Sequence, residues 1–256
     1  MTSKVTVSSD DRIRRITINR PERRNAVDTE TMELLTEEFR RAGADHATRV
    51  VVFTGAGESF CAGADLAAMS AEEIAAFDTT AHLRAYMNPL VLQMRSLPVP
   101  VIARVDGAAV GAGCNYALAS DLIIASTRAT FAELFIRIGL MPDGGGTYFL
   151  PRLVGYHKAF ELMATGDALS ADEAHALGIV NRVVGTEELD ATVDALARRL
   201  AEAPRLALSA MKAGLNHAAS SDLAAALDFE AVHQNACLHS PDFLEGVTAF
   251  MQKRKP

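Results

Sequence analysis

The sequence predicts an α/β fold with a parallel-type sheet, followed by a C-terminal part built of helices. Short apolar runs such as RVVVFTG (49–55) and DLIIAST (121–127) alternate with segments of helical periodicity over most of the chain. From about residue 187 the pattern is almost wholly helical. Strands that alternate with helices favour parallel pairing, because each helix carries the chain back across the sheet.

The first half of the chain gives these elements in order. VTVSS and IRRITIN alternate like strands, and the helix that follows begins near Asp28 or Thr29, either of which is a suitable N-cap. The strand at 49–55 leads through the loop AGESFCAGAD into a helical region around residues 65–95.

The second half continues the alternation. VPVIARVDG (99–107) predicts a strand, and GAGCNYALAS predicts a buried helix because glycine and alanine permit close packing. After the strand DLIIAST and the segment ATFAELF, a glycine-rich loop is predicted over 139–155. Two helices follow, the second with Ser170 and Glu173 as a capping box, and IVNRVV then predicts a strand.

Composition excludes several classes of function. The 256 residues carry a net charge of −7, and no run of Lys and Arg could follow a phosphate backbone, so nucleic acid is not an expected partner. The N-terminus lacks the apolar stretch of a signal peptide, and the least charged stretch, 107–120, is too short to span a bilayer. Cys61, Cys114 and Cys237 form no CxxC pair and fit free buried thiols in a reducing compartment. We therefore expect a cytoplasmic protein without membrane partners.

Common cofactor and metal motifs do not fit the sequence. GAGESF and GAGCNY place Phe60 and Tyr116 where the GxGxxG motif needs its third glycine. The sequence contains no GxxxxGK[ST] and no GxSxG. Its seven histidines form no HExxH and no convincing ligand cluster, so no metal site is expected.

Two loop-to-helix junctions, SFCAGADL and GAAVGAGCN, carry a candidate chemistry. Small residues open a helix at each, so unpaired backbone N–H groups cluster there. A pair of such groups could polarise a thioester carbonyl and hold the enolate that forms when a neighbouring carbon loses a proton. The residues alone favour two ordinary tight helix entries, with glycine and alanine present for packing, because such junctions are common in α/β folds.

Five segments in a fixed order resemble the crotonase superfamily, the enoyl-CoA hydratase/isomerase family. They are ITINRPERRNAV, VVVFTGAGESFCAGADL, VPVIARVDGAAVGAGCNYALASDLIIAS, GLMPDGGGTYFLPRLVG and ELMATGDALSADEAHALGIVNRVV. The resemblance runs over nearly the whole chain. It implies a crotonase (ClpP-like) spiral of ββα units with a CoA-ester site in residues 1–195. It also implies that helices in 196–256 build a homotrimer or a dimer of trimers, and that coenzyme A arrives as part of the substrate, with no separate cofactor.

The resemblance also assigns site residues. The oxyanion hole would use the backbone N–H groups of Ala64 and Ala112, with Ala112 in place of the usual glycine. Arg23 and Arg24 would lie near the phosphates, although two solvated loop arginines are an equally good interpretation. The residues expected along the CoA moiety are Arg23, Arg24, Ala62, Asp65 and Leu66.

The sequence departs from the hydratase pattern at both acid–base positions. Family hydratases use two glutamates, and the corresponding positions here hold Asn115 and Phe135. Neither side chain can take a proton from water or deliver one to carbon at neutral pH, so hydration of the usual kind is disfavoured. Glu133 is the nearest carboxylate, and it is either a displaced base or a locally hydrogen-bonded or exposed residue.

Asp143 lies between Pro142 and three glycines, which by themselves explain a turn that needs no carboxylate. The resemblance favours catalysis, because dienoyl-CoA isomerases, chlorobenzoyl-CoA dehalogenases and the ring-epoxide isomerases of phenylacetyl-CoA breakdown have aspartate at this position. The last group also shares the asparagine after GAG. Dehalogenation is less favoured, since no histidine base can be placed in this sequence.

The favoured reaction is isomerisation of an enoyl-CoA double bond, with Asp143 moving the proton and Asn115 hydrogen-bonding the carboxylate or the substrate. Burial among Phe135, Leu140 and Met141 is expected to raise the pKa of Asp143. Two alternatives stay open: a hydratase that uses Asp143 or Glu133, and a CoA-ester-binding homologue without catalysis.

The segment 66–97 should cover the acyl group, but the sequence does not define the acyl specificity. Its larger side chains either line the pocket or form helix core. They are Met69, Phe77, Tyr86 and Met87.

Overall fold

The computed structural model describes residues 3–65 and 70–254. The strands of these residues form two sheets. The larger sheet contains, from edge to edge, β1 (Val5–Asp10), β2 (Ile13–Ile18), β3 (Val50–Gly55), β5 (Val101–Val105), β7 (Leu122–Ser126) and β10 (Arg182–Val184). The smaller sheet contains β4 (Ser59–Cys61), β6 (Ala108–Val110), β8 (Thr130–Ala132) and β9 (Leu169–Ser170).

Most neighbouring strands run parallel. In the larger sheet β2, β3, β5, β7 and β10 pair in parallel, and β1 joins β2 as an antiparallel edge strand. In the smaller sheet β4, β6 and β8 are parallel and β9 is antiparallel. Every residue of β3 is buried, as expected for a central strand covered on both faces.

The helices are α1 (Thr29–Ala44), α2 (Ala71–Ala76), α3 (Thr79–His82), α4 (Asn88–Ser96), α5 (Ala112–Ala119), α6 (Gly146–Val154), α7 (Tyr156–Thr165), α8 (Ala171–Ala176), α9 (Leu189–Glu202), α10 (Arg205–Ala218), α11 (Leu223–Leu238) and α12 (Pro241–Met251). A π-helical turn, Leu83–Met87, joins α3 to α4. The Asp28 carboxylate caps α1, and the predicted capping box of α8 is present.

The chain repeats a strand–strand–helix unit. β3, β4 and α2–α4 form one turn; β5, β6 and α5 form the next; β7, β8 and α6–α7 form the third. Within each unit the first strand joins the larger sheet and the second joins the smaller sheet. The predicted α/β spiral of ββα units is therefore confirmed.

Two apolar clusters hold the spiral together. The larger one lies between the sheets and helices and includes Phe39, Phe53 and Phe60, whose rings meet edge to face at 5.4 Å. The smaller one forms where Val193 and Ala197 of α9 pack against the outer face of the larger sheet. Helix α9 thus spans the predicted boundary between residues 195 and 196, and packing on the core continues to Ala201.

Two loop predictions were wrong in part. The loop predicted over 139–155 ends at Gly145, and α6 occupies the rest because Leu150 buries its side chain in the core. Gly144 and Gly145, with φ of 55° and 91°, make the turn that starts this helix. The predicted loop AGESFCAGAD contains the short strand β4, which is bounded too closely by turn residues for its pattern to be seen.

Helices α10 to α12 present a broad apolar surface. Lys212 anchors α10 to the core, because its ammonium lies 2.7 Å from Asp121 and donates to the carbonyls of Met94 and Val99. Helix α11 has no buried residue. Large exposed apolar side chains on the three helices are Leu206, Met211, Leu215, Leu223, Leu227, Val232, Leu238, Phe243, Leu244, Phe250 and Met251. Over the described residues, no helix has the length and apolar character needed to cross a membrane.

Candidate active site

The first predicted junction exposes the backbone of Ala64. Ala64 forms a parallel bridge with Val27, in which Val27 N–H donates to the Gly63 carbonyl and Asp65 N–H donates to the Val27 carbonyl. In a parallel bridge the central residue of one partner turns its own N–H and C=O away from the other. The N–H of Ala64 is therefore free of the bridge.

The second junction places Ala112 as the first residue of α5. Gly111 is the N-cap, with φ of 55° and ψ of −125°, and the helical hydrogen bonds begin with Asn115 N–H donating to the Gly111 carbonyl. The N–H of Ala112 consequently has no acceptor within the helix. Gly113 has to be glycine, because a side chain there would overlap the Cys61 backbone.

The two junctions converge at Gly63. A Cβ atom built on Gly63 would lie 3.5 Å from the backbone nitrogen of Ala112 and 2.9 Å from the carbonyl oxygen of Val110. Gly63 precedes Ala64, so the two backbone N–H groups predicted for the oxyanion hole belong to adjoining pieces of chain. This arrangement can donate two hydrogen bonds to one developing oxyanion.

Phe135 and Asn115 occupy the two positions that are glutamates in hydratases. The Phe135 ring lies against Gly111, since a Cβ atom there would be 3.7 Å from its edge. Asn115 is fully buried on α5. Its amide nitrogen lies 2.8 Å from the main-chain carbonyl oxygen of Asp143 and 3.4 Å from Oε2 of Glu133. Asn115 therefore holds the loop that carries Asp143 and does not bond its carboxylate.

Asp143 presents an unpaired carboxylate oxygen. Its Oδ1 atom is buried and has no hydrogen-bond partner among the residues that the structure describes. The Gly146 N–H donates to the Asp143 carbonyl at 3.0 Å, so the main chain is held from both sides while the carboxylate is not. Burial raises the pKa of Asp143 from 3.8 to about 6.

Of the three apolar residues expected to bury Asp143, two are exposed. Leu140 and Met141 are 48% and 71% exposed, because the loop turns their side chains outward, and only Phe135 is buried. The loop instead packs inward on Met87, whose sulfur would lie 3.4 Å from a Cβ atom on Gly144. The expected raised pKa is present, but its cause is contact with the π-helical turn and α5.

Glu133 is a buried carboxylate directly behind Asn115. It is only 2% exposed, so the option of an exposed residue is wrong. Burial raises its pKa to about 8; hydrogen bonding from Asn115 lowers it, and the nearby charge of Asp143 raises it further. Glu133 has a lesser role in the sequence-based prediction because periodicity does not reveal how deeply the segment after β8 is buried.

The predicted CoA-side residues lie at one edge of this site. Arg23 and Arg24 are exposed, and the Arg24 carbonyl accepts a hydrogen bond from the N–H of Ala62 at 3.0 Å. The side chain of Asp65 is buried and pairs with Arg20 at 2.7 Å, so it supports the junction from within. Leu66 lies outside the described residues.

The predicted acyl-covering segment divides into core and surface. Phe77 is exposed, Tyr86 is half-buried with its ring tilted against that of His82, and Met69 lies outside the described residues. Met87 is buried, and its sulfur accepts a hydrogen bond from the Tyr116 hydroxyl at 3.1 Å. Tyr116 was not predicted as a site residue, because a buried tyrosine within GAGCNY reads as core.

These features define a class of protein: a ββα spiral in which two junctions with free backbone N–H groups adjoin at Gly63, and in which the buried Oδ1 of Asp143 has no partner among the described residues. The model of the family described as enoyl-CoA hydratase/isomerase matches residues 9–256. The chain is 40% identical to 1,2-epoxyphenylacetyl-CoA isomerase of Escherichia coli over 94% of this chain and 92% of the relative. It is 34% identical to crotonyl-CoA hydratase of Syntrophomonas wolfei, over 98% and 96% of the two chains.

A solved structure shows the same fold. The crystal structure of an enoyl-CoA hydratase from Mycobacterium smegmatis matches with a TM-score of 0.93 and 35% identity, covering 100% of this chain and 98% of that one. The chain belongs to the enoyl-CoA hydratase/isomerase family of acyl-CoA enzymes. Both isomerases and hydratases occur among its relatives.

Proposed function

We propose that this protein isomerises a double bond of an enoyl-CoA thioester, with Asp143 as the base that moves the proton. The observation that carries the proposal is the buried Oδ1 atom of Asp143, which has no hydrogen-bond partner among the described residues, while Asn115 and Phe135 hold the two positions expected for the hydratase glutamates. An amide and a phenyl ring exchange no protons at neutral pH, so Asp143 is the acid–base group that faces this part of the site.

The proposed reaction has two steps. The thioester oxygen accepts hydrogen bonds from the N–H groups of Ala64 and Ala112, which acidifies the neighbouring carbons. The Asp143 carboxylate removes a proton from one carbon, and the electron pair left behind forms a dienolate whose charge rests on the thioester oxygen. The Asp143 carboxyl group then returns the same proton to a different carbon, so the double bond moves and the base is regenerated.

Hydration is the second candidate. The observation that favours it is the raised pKa of the buried Glu133 carboxyl group. A carboxyl group with a pKa of about 8 can deliver a proton near neutrality, while Asp143 could take one from water. The relatives named hydratases support this reading at the level of the family. A CoA-ester-binding protein without catalysis is the third candidate.

One assay separates the three candidates. Purified protein is offered 2-enoyl-, 3-enoyl- and dienoyl-CoA thioesters, and ultraviolet absorbance follows loss or migration of the double bond. Isomerisation conserves the double bond, whereas hydration removes it and forms a hydroxyacyl-CoA. Hydration as the dominant reaction, or binding of thioesters without turnover, would each contradict the isomerase proposal.

We also propose that the substrate supplies its own coenzyme A and that the working enzyme is a homotrimer or a dimer of trimers. The apolar surface of α10 to α12 supports assembly, because surfaces of this size are seldom left in water. The residues expected near the CoA moiety are Arg23, Arg24 and Ala62, together with Leu66. Light scattering on the purified chain tests the assembly, and a monomer at micromolar concentration would contradict it.

A further inference from the structure

Three buried hydrogen-bond acceptors without partners lie in one small region. Among residues 3–65 and 70–254, the buried side-chain nitrogen and oxygen atoms without a partner are Arg14 Nε, Asn115 Oδ1, Glu133 Oε1 and Asp143 Oδ1. The last three lie close together, because the amide nitrogen of Asn115 contacts both Oε2 of Glu133 and the main-chain carbonyl of Asp143. Asp143 Oδ1 faces the reacting carbon in the proposed mechanism, but Asn115 Oδ1 and Glu133 Oε1 have no such role.

The orientation of the Asn115 amide is fixed. The atom 2.8 Å from the Asp143 carbonyl must be Nδ2, because a carbonyl oxygen accepts and only the amide nitrogen donates. Oδ1 is then left as a buried acceptor beside a carboxyl group. The region therefore needs one more donor, and an ionised Glu133 offers only acceptors.

The surroundings of Glu133 place no cation beside it among the described residues, and burial raises its pKa more than the hydrogen bonds from Asn115 and Cys114 lower it. The side chain borders a small cavity lined mainly by apolar residues, among them Leu118, Phe131 and Leu162. The titratable groups that face it are the Cys114 thiol on α5, Asp143 on the glycine-rich loop, and Asp167 after α7. None of these is a cation, and a buried carboxylate without one holds its proton.

We propose that Glu133 is a positioning residue of the acyl-CoA site and works in its protonated form, donating a hydrogen bond to Asn115 Oδ1. That bond fixes the Asn115 amide, whose Nδ2 in turn holds the main-chain carbonyl of Asp143. The proposal rests on the proposed function only in taking Asp143 as the base that is being positioned. One proton on Glu133 satisfies both otherwise unpaired acceptors.

Ionisation of Glu133 breaks this arrangement. The carboxylate can no longer donate to Oδ1, and its negative charge attracts the second hydrogen of Nδ2 toward Oε2, which is 3.4 Å away, so the amide is pulled out of the position that holds the Asp143 carbonyl. The exposed Asp167 borders the same cavity, and Asp143 does not, so the proton of Glu133 has a route to solvent that avoids the acyl group.

A matched pair of variants tests the role. Glu133→Leu removes the donor and Glu133→Gln replaces it with an amide N–H of similar reach. We expect Glu133→Leu to lower kcat about tenfold with little change in KM, and Glu133→Gln to recover most of that loss. Wild-type kcat should fall above about pH 8, the pKa of Glu133, and the fall should disappear in Glu133→Gln. An unchanged alkaline fall in Glu133→Gln, or equal losses in both variants, would overturn the proposal.

An infrared titration tests the proton without using turnover. Wild type should show the carbonyl band of a protonated carboxylic acid at pH 7 that is absent in Glu133→Gln. In Asp143→Asn the band should vanish at lower pH, since the neighbouring charge that helps retain the proton is gone. If the proposed isomerase activity fails, this measurement still decides the state of Glu133. Absence of the band in wild type at pH 7 would refute the role even in an active isomerase.

Discussion

Two buried carboxylates that follow strands of the spiral have opposite surroundings. Asp106, after β5, is 6% exposed and receives hydrogen bonds from Arg128 at 2.6 and 2.8 Å and from the Ser126 hydroxyl at 2.6 Å. Glu133, after β8, has no arginine or lysine partner among the described residues; Asn115 Nδ2 lies 3.4 Å from its Oε2, and the Cys114 thiol also hydrogen-bonds it. The bonds from Arg128 lower the pKa of Asp106, whereas burial raises that of Glu133.

The difference separates carboxylates that are paired with a cation from carboxylates that are not. Asp106 is stabilised as an anion, and Asp65 is likewise paired with Arg20. Among the described residues no cation pairs with Asp143 or Glu133, and burial raises the pKa of Asp143 to about 6 and that of Glu133 to about 8. A carboxylate that is ion-paired with an arginine is a poor base. A buried carboxylate without a partner destabilises the folded protein.

The largest expected effect is that of Asp143→Asn. Asparagine keeps the shape and main-chain contacts of the loop but cannot accept a proton, so kcat for isomerisation should fall by about 10³-fold. Binding of CoA esters and the oligomer should be unchanged. The check is ultraviolet turnover beside calorimetric binding of a saturated acyl-CoA. Full activity in Asp143→Asn would show that Asp143 is not the base. Turnover that survives Asp143→Asn and is lost in Glu133→Gln would indicate that Glu133 is the base instead.

The next effect concerns the convergence of the two backbone N–H groups. Gly63→Ala places a methyl group 2.9 Å from the Val110 carbonyl and 3.5 Å from the Ala112 nitrogen, which should push the junctions apart. We expect kcat to fall about 10²-fold, the loss typical of one oxyanion donor. Gly178→Ala is the matched control, because Gly178 also has positive φ, 79°, with nothing within 4 Å of a new methyl group. Equal kinetic losses in the two variants would mean that backbone strain, and not the oxyanion site, explains the result.

The acid side of the pH profile should show the base directly. With a pKa of about 6, Asp143 is ionised at neutrality, and kcat should fall about tenfold for each pH unit below 6. Glu133 is neutral over that range, so Glu133→Gln should leave the acid limb in place. A profile that is flat between pH 5 and pH 7 in wild type would contradict Asp143 as a base whose ionised form is required.

Which features of the fold and site the sequence could predict depends on how far apart in the chain the interacting residues lie. The spiral follows from local patterns and from the order of motifs, whereas the oxyanion N–H groups and the role of Asp143 stay predictions. The partners of carboxylates do not follow from such patterns, because Asp65 and Arg20 lie 45 residues apart and meet only after folding. The start of α6 within the predicted loop was missed for a related reason: a glycine run marks a turn but not the helix that Leu150 secures by burial.

The smallest expected effect is on stability, and it should have opposite signs at the two kinds of site. The folded-state pKa of Asp143 is raised from 3.8 to about 6, so the native state loses stability as pH rises from about 4 to 6, and Asp143→Asn should recover about 1–3 kcal/mol at pH 7. The pKa of Asp106 is lowered, so its contribution is present at pH 7 and is lost in acid.

Asp106→Asn should therefore destabilise the protein at pH 7, by about 1–2 kcal/mol because solvent partly screens Arg128. Urea unfolding of wild type and both variants at pH 7 and pH 4 measures the contrast. At pH 4 the Asp143→Asn difference should shrink toward zero, since the wild-type carboxyl group is then protonated in the native state. Stabilisation by both substitutions at pH 7, or by neither, would show that the surroundings of these carboxylates do not divide structural from catalytic groups.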